Sequence, residues 1–269
     1  MLPAETNLEV RSSVPARPSR NGGKPPLLFV HGGFCDAWCW TPYFLPWFAK
    51  QGYAAHALSL RGHGKSDGAA TLFVTGLDDF AADVKHVAQG LPEPPILIGH
   101  SMGAAIVERL LATQPVRAAA LLSPVPPAGL MSVASRLATG QSGYPLFGPQ
   151  FNPSRMNMHM LEALRPFYFN DDVAPEILTE AAAHLGPESP RALLDLSMRL
   201  QWQIPERGGV PLFVMGVEGD RIATANDVRA TASHHGVDAT ILPGLAHMLM
   251  LERQWEQPAR ELARWLGKL

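Results

Sequence analysis

The sequence predicts an α/β protein built on a doubly wound, mostly parallel sheet, with one helical insertion. Three observations carry that expectation. Short apolar runs without helical period recur between stretches that do show one, the alternation a parallel sheet covered on both faces requires. One such run, Ile96–Ile98, passes through Gly99-His100-Ser101-Met102-Gly103 straight into a helical pattern, the strand–turn–helix setting of a G-x-S-x-G elbow. Between about Pro126 and Arg207 the alternation stops, and prolines and methionines accumulate there. That stretch is read as an inserted helical unit, with residues 1–125 and 208–269 forming the sheet domain around it.

Taken in order, Asn7–Val10 is a possible edge strand, followed by a loop rich in Pro, Arg, Ser, Asn and Gly. Leu27–Val30 is a buried strand ending in His31-Gly32-Gly33, and Trp38–Lys50 reads as a short helix that exits at Gly52. Ala54–Leu60 is the next strand and runs into the polar loop Arg61-Gly62-His63-Gly64-Lys65-Ser66-Asp67. A helical period spans Asp78–Gln89; after the elbow strand and its helix comes the strand Ala118–Leu122. Within the insertion the clearest helices are Pro175–Leu185 and Pro190–Trp202. Alternation resumes with a strand at Leu212–Met215, a helix around Ala223–His234, a strand at Ala239–Leu242, and a terminal helix with Trp255, Leu262 and Trp265 at helical spacing.

Composition narrows the function. With 269 residues, 46% hydrophobic and 17% charged, the chain can bury a sizeable core. A formal net charge of −2 and a pI near 6.5 offer no basic surplus for nucleic acid or an anionic membrane. A small molecule is the expected partner, and oligomeric state is left open. The two cysteines, Cys35 and Cys39, lack the further ligands of a zinc site and are expected to pack as small hydrophobes. The Arg61–Asp67 loop does not follow G-x-x-x-x-G-K-[ST], so a polar turn tied by charge pairs is expected there rather than a phosphate cradle. No metal or cofactor is expected. Met1–Val10 lacks a basic stretch followed by an apolar core, and no apolar run reaches membrane-spanning length, so a cytoplasmic location is the expectation.

The elbow directs attention to nucleophilic chemistry. Glycines two positions either side of Ser101 let strand and helix approach, and the serine then sits at a helix N-terminus, where N–H groups and the dipole favour negative charge. The Met102 N–H is placed to meet an oxyanion. A serine hydroxyl needs a base, and the base needs a carboxylate to orient it. In a doubly wound sheet such groups lie beyond the C-terminal ends of strands. That rule selects Asp220, after the Leu212–Met215 strand, and His247, after the Ala239–Leu242 strand. Glu218 is the near rival for the acid, and a plain helix N-cap is the other role open to Asp220. His63 and His159 are not excluded by position, whereas His100 is expected to point away from the serine it precedes. His31-Gly32-Gly33 follows the first buried strand and can present a second oxyanion donor, Gly33 or, close behind it, Phe34.

Together these residues resemble the α/β-hydrolase superfamily, in particular its small lidded members of esterase, lyase and perhydrolase kind. The resemblance rests on His31-Gly32-Gly33, Trp38 and Trp40, Arg61-Gly62-His63-Gly64 with Ser66, Gly99 to Gly103, Gly219-Asp220, and Gly244 with Ala246-His247. It covers roughly residues 27–125 and 210–267. Cyanohydrin-cleaving relatives carry a lysine directly after the histidine, where Met248 stands here. The expectation is a serine hydrolase acting on a carboxylic ester, with Phe34, Trp38, Met156, Met158, Met160 and Met248 lining an apolar pocket. A thioesterase or lactonase with the same three residues, and a small-molecule receptor on the same shell, are the rival readings.

Overall fold

The computed structural model describes residues 6–16, 23–111, 116–131, 133, 161, 165–198 and 209–269. Among them, seven strands form one sheet: β1 (Val10–Ser13), β2 (Leu27–Val30), β3 (Ala55–Leu58), β4 (Ile96–His100), β5 (Ala118–Leu122), β6 (Leu212–Val217) and β7 (Ala239–Leu242). Their order is β1-β3-β2-β4-β5-β6-β7. Only β1 runs antiparallel to its neighbour, pairing Val10 with Leu58, while the remaining pairs are parallel. Among the described residues the α-helices are α1 (Phe44–Lys50), α2 (Leu77–Gln89), α3 (Met102–Leu110), α4 (Pro175–His184), α5 (Pro190–Ser197), α6 (Ala225–His234) and α7 (Glu256–Leu266).

The short apolar runs are strands buried on both faces, which is why they carry no polar alternation. Along β2, Leu27 and Phe29 enter one core with Phe44, Phe48 and Leu262, while Leu28 and Val30 enter the other with Leu77 and Phe80. Each such side chain contributes about 1.5–3 kcal/mol by leaving water. Helices α4 and α5 add to these same two cores, through Ile177 and Ala181 on one side and Ala192 and Leu196 on the other.

Several boundaries differ from the sequence expectation. The edge strand lies at Val10–Ser13 rather than Asn7–Val10, because Asn7 and Glu9 bond to the Ser59–Asp67 loop instead, with Ser59 N donating to Glu9 O at 2.9 Å and Asp67 N to Asn7 O at 3.0 Å. The expected Trp38–Lys50 helix is split into one turn of 3₁₀ helix at Ala37–Trp40 and α1. Pro42 has no N–H to donate to the helical ladder, and after a helical Thr41 (φ −76°, ψ −32°) the backbone leaves the helix at Tyr43 (φ −131°, ψ −55°) before α1 begins. Asp36 caps the first piece, its Oδ1 accepting from Trp38 N at 2.6 Å. β4 continues through His100, so Ser101 alone makes the turn into α3.

Candidate active site

From β2 the chain first adds β3 on one side, then crosses back to place β4 on the other. At such a switch point the connections diverge and leave a crevice beyond the C-terminal strand ends. His31-Gly32-Gly33 leaves β2 into that crevice and Ser101 leaves β4 beside it.

Ser101 holds φ 53° and ψ −118°, a left-handed conformation that costs an ordinary residue about 1–3 kcal/mol and persists only when its surroundings impose it. Its N–H donates to Leu122 O on β5 at 3.0 Å. The flanking glycines are required by close approach. A Cβ on Gly99 would run into the backbone of Gly103 and Ala104, and one on Gly103 would strike the carbonyl oxygens of Val30 and His31. α3 starts at Met102, so its first N–H groups emerge at the elbow.

His247 and Asp220 meet. Nδ1 of the imidazole lies 2.8 Å from Asp220 Oδ2, and both side chains are buried. An ionised carboxylate can only accept, so Nδ1 donates to it, and in the neutral ring Nε2 is then the nitrogen with the lone pair. Asp220 Oδ1 accepts from Ile222 N and Ala223 N, each at 2.8 Å. The aspartate therefore ties its own turn and the imidazole at once, while Thr224 supplies the cap of α6. Glu218, the rival carboxylate, is exposed.

Ser101 and His247 line one pocket together with Gly33, Phe34, Met102 and Met248. Tyr168 closes one side, its ring meeting that of His247 edge-on with centroids 5.7 Å apart. Trp38 faces a smaller apolar cavity behind Tyr168 and Met248, and stacks flat on His184 at 4.8 Å. Met156, Met158, Met160 and His159 lie outside the described residues. His100 does not point away from the site: it lines the pocket, its ring 4.7 Å from that of His247, and its Nε2 donates to His247 O at 2.9 Å.

Two buried histidines beside the site are pressed toward the neutral form. His31 is neutral: burial, the largest influence, and the neighbouring His63 charge press it down to about 4. Its Nδ1 donates to Gly32 O at 2.8 Å and its Nε2 accepts from Leu60 N at 3.0 Å. Burial and the nearby His247 push His100 well below the ordinary imidazole range. Arg61 is locked by Asp83, with Nη2–Oδ1 at 2.5 Å, so it serves the loop rather than the pocket. Among the described residues no cluster of three or more His, Cys, Asp or Glu could hold a metal ion. Cys35 and Cys39 are buried and unbridged. No helix among the described residues is long and apolar enough to cross a membrane.

Two residues that sequence reasoning passed over stand out. Tyr168 and Glu188 both come from the stretch read as an insertion, where no period or motif marks them. Glu188 is buried against His63 and the Phe34 backbone, 125 and 154 residues away in the chain.

Comparison with known proteins agrees with this architecture. The profile of the alpha/beta hydrolase family matches residues 27–265. A non-heme chloroperoxidase of Streptomyces lividans is 33% identical over 159 residues, 55% of this chain and 55% of that one. Protein phosphatase methylesterase 1 of Mus musculus is 36% identical over 91 residues, 30% of this chain and 22% of that one. The chain thus spans about half, or less, of the length of these relatives. Among solved structures, an esterase from Thermogutta terrifontis superposes with a TM-score of 0.72 at 18% identity, covering 100% of this chain and 96% of the other. The enol-lactonase from Burkholderia xenovorans LB400 gives 0.70 at 17% identity, covering 97% and 98%. At those identities the likeness is one of fold. The family profile, in contrast, runs from the start of β2 into α7 and takes in the elbow, the Asp220 turn and the His247 loop, and on that basis this chain belongs to the alpha/beta hydrolase family.

Proposed function

We propose that this chain is a serine hydrolase that cleaves carboxylic esters of small, largely apolar substrates through an acyl-enzyme intermediate. One observation carries the reading: an imidazole oriented by a buried carboxylate at 2.8 Å shares a pocket with a serine held at positive φ. Ser101 Oγ attacks the acyl carbonyl while His247 Nε2 takes its proton, and the same nitrogen then protonates the departing alcohol. Asp220 keeps the tautomer and stabilises the imidazolium. The N–H groups of Met102 and Gly33 meet the oxyanion, each worth about 2.7–4 kcal/mol in the transition state. Water, activated by His247, then releases the acid.

The substrate class follows from the lining. Leu193, Leu196, Ile222 and Met248 present hydrocarbon around the serine, which favours uncharged acyl or alcohol groups. Because Tyr168, Leu193 and Leu196 come from residues 126–207, that stretch is proposed to act as the lid. One relative is named a methylesterase, which agrees with an ester substrate.

A serine-reactive fluorophosphonate with intact-mass readout tests the reading, applied to the wild type and to Ser101→Ala. One adduct on the wild type and none on the variant is expected, together with turnover of p-nitrophenyl esters. An unlabelled wild type overturns it. Rates on acyl thioesters and lactones, run in parallel, decide whether the ester is the preferred acyl donor.

A further inference from the structure

We propose that Glu188, charge-balanced by His63, is a positioning residue that holds the oxyanion-binding backbone at Gly33 and Phe34; the assignment rests on the serine hydrolase reading above. Glu188 Oε2 accepts from Phe34 N at 3.1 Å and faces His63 Nε2 at 3.2 Å, while Oε1 accepts from Ser189 N at 2.7 Å. Both side chains of the pair are essentially removed from solvent, at 1% and 0% exposure. The carboxylate lies directly behind the pocket wall, since a Cβ on Gly33 would sit 3.4 Å from Glu188 Oε2.

The backbone it holds is strained. Phe34 has φ 62°, a conformation a bulky side chain disfavours. Both of its peptide polar atoms are tied to the same short segment, N–H to Glu188 and carbonyl to Gly186 N at 3.0 Å. A second clasp lies alongside, where His184 Nδ1 meets Asp36 Oδ2 at 2.8 Å. With the Phe34 N–H committed to Glu188, the Gly33 N–H is the one left to serve an oxyanion.

A lone carboxylate in that place would oppose the negative charge that develops on the substrate oxygen. His63 removes the conflict. Its Nδ1 faces Arg61 O at 3.1 Å and its Nε2 faces the carboxylate. Both neighbours are acceptors, so both ring nitrogens donate and the pair is imidazolium–carboxylate. Burial works against the charged imidazole, yet the Glu188 charge and hydrogen bond outweigh it and raise His63 above its ordinary value.

The test is kcat per fluorophosphonate-titrated site on p-nitrophenyl butyrate, with KM and melting temperature, for Glu188→Ala, Glu188→Gln, His63→Gln and the double variant His63→Gln/Glu188→Gln. Glu188→Ala is expected to lose on the order of 100-fold in kcat with KM little changed, the scale of a 1 Å misplacement. Glu188→Gln keeps an acceptor for Phe34 N–H and recovers most of that loss. His63→Gln leaves the carboxylate unbalanced and lowers kcat by roughly tenfold or more, and adding Glu188→Gln restores activity. The comparison of single and double variants decides the matter even where Glu188→Ala does not fold. A kcat per site within about threefold of wild type in Glu188→Ala, or a double variant no better than His63→Gln, overturns the assignment. Failure of the wild type itself to label or turn over overturns the hydrolase reading and this assignment with it. A wild type that labels and turns over, beside unaffected variants, strikes this assignment alone.

Discussion

Asp220→Asn tests the relay at its most constrained atom. The wild-type carboxylate uses Oδ1 for two backbone N–H groups and Oδ2 for His247 Nδ1, all at 2.8 Å. An asparagine has one oxygen and one NH2 for these two positions. If its oxygen faces the imidazole, the NH2 confronts the N–H groups of part-buried Ile222 and buried Ala223, so two bonds to Oδ1 are lost, the buried one at about 1–3 kcal/mol. If its oxygen keeps the two N–H groups, only one contact changes, so this orientation wins. The NH2 then points at His247 Nδ1, which must accept, and the ring proton moves to Nε2. Nε2 has no lone pair left for the serine hydroxyl. A wrong tautomer in such a triad lowers kcat by about 10⁴-fold, or about 5 kcal/mol of barrier. The turn bonds survive, so the melting temperature falls little. Steady-state hydrolysis of p-nitrophenyl butyrate, beside a thermal melt, measures both. A variant within tenfold of wild type in kcat, with its fold intact, refutes the orientation argument.

Gly103→Ala forces a methyl against the carbonyl oxygens of Val30 and His31, and urea unfolding should show a loss of about 1–3 kcal/mol or more; a change under about 0.5 kcal/mol, the range of an innocuous surface change, contradicts the close approach. Burial raises the Glu252 carboxyl from 4.5 to about 7, so the folded chain holds a proton there that the unfolded chain has released. Stability from this group is therefore present below pH 4.5 and lost as pH rises to about 7. Glu252→Gln should gain in melting temperature on wild type across that window, and a constant difference contradicts the shift. Met248 and Tyr168 separate the site pocket from the small cavity lined by Cys35, Phe169 and Leu251. Met248→Ala should join the two and raise kcat/KM for longer p-nitrophenyl esters over the acetate, by up to about fourfold for each methylene accommodated; an unchanged chain-length profile speaks against the partition.

How much of this was legible in the chain depends on the range of the interaction. The strands at Leu27–Val30 and Ala118–Leu122 were readable to the residue because burial on both faces leaves an unbroken apolar run between polar stops. The elbow was readable because its steric demand falls on residues two positions from the serine. Asp220 and His247 were readable through topology, since each follows a strand end. β1 was misplaced by three residues because its ends are set by partners in the Ser59–Asp67 loop, which its own sequence does not name. The place of His100 was missed because strand alternation carries one residue further than the glycine suggested. Glu188 was invisible for a stronger reason: every partner that gives it meaning, apart from Ser189, lies more than 120 residues away.

The strain in the backbone gathers where the chemistry is proposed. Among the described residues, the non-glycine positions with positive φ are Phe34, Ser101 and Ser123, which follow β2, β4 and β5, three adjacent strands. Each is held by a bond that its local sequence cannot supply. Phe34 N–H is taken by Glu188 at 3.1 Å, Ser101 N–H by Leu122 O at 3.0 Å, and Ser123 N–H by Met215 O at 2.7 Å. The last two run from one strand end to the neighbouring strand, so the sheet itself imposes the conformation at Ser101. A residue forced into an unfavourable backbone region by its neighbours has little freedom to relax during a reaction, and preorganised N–H groups need that rigidity to act on a developing charge. The parallel core, buried on both faces, keeps the rim stiff at Ser101 and Ser123, whereas Phe34 depends on the carboxylate that Glu188 brings from outside the sheet.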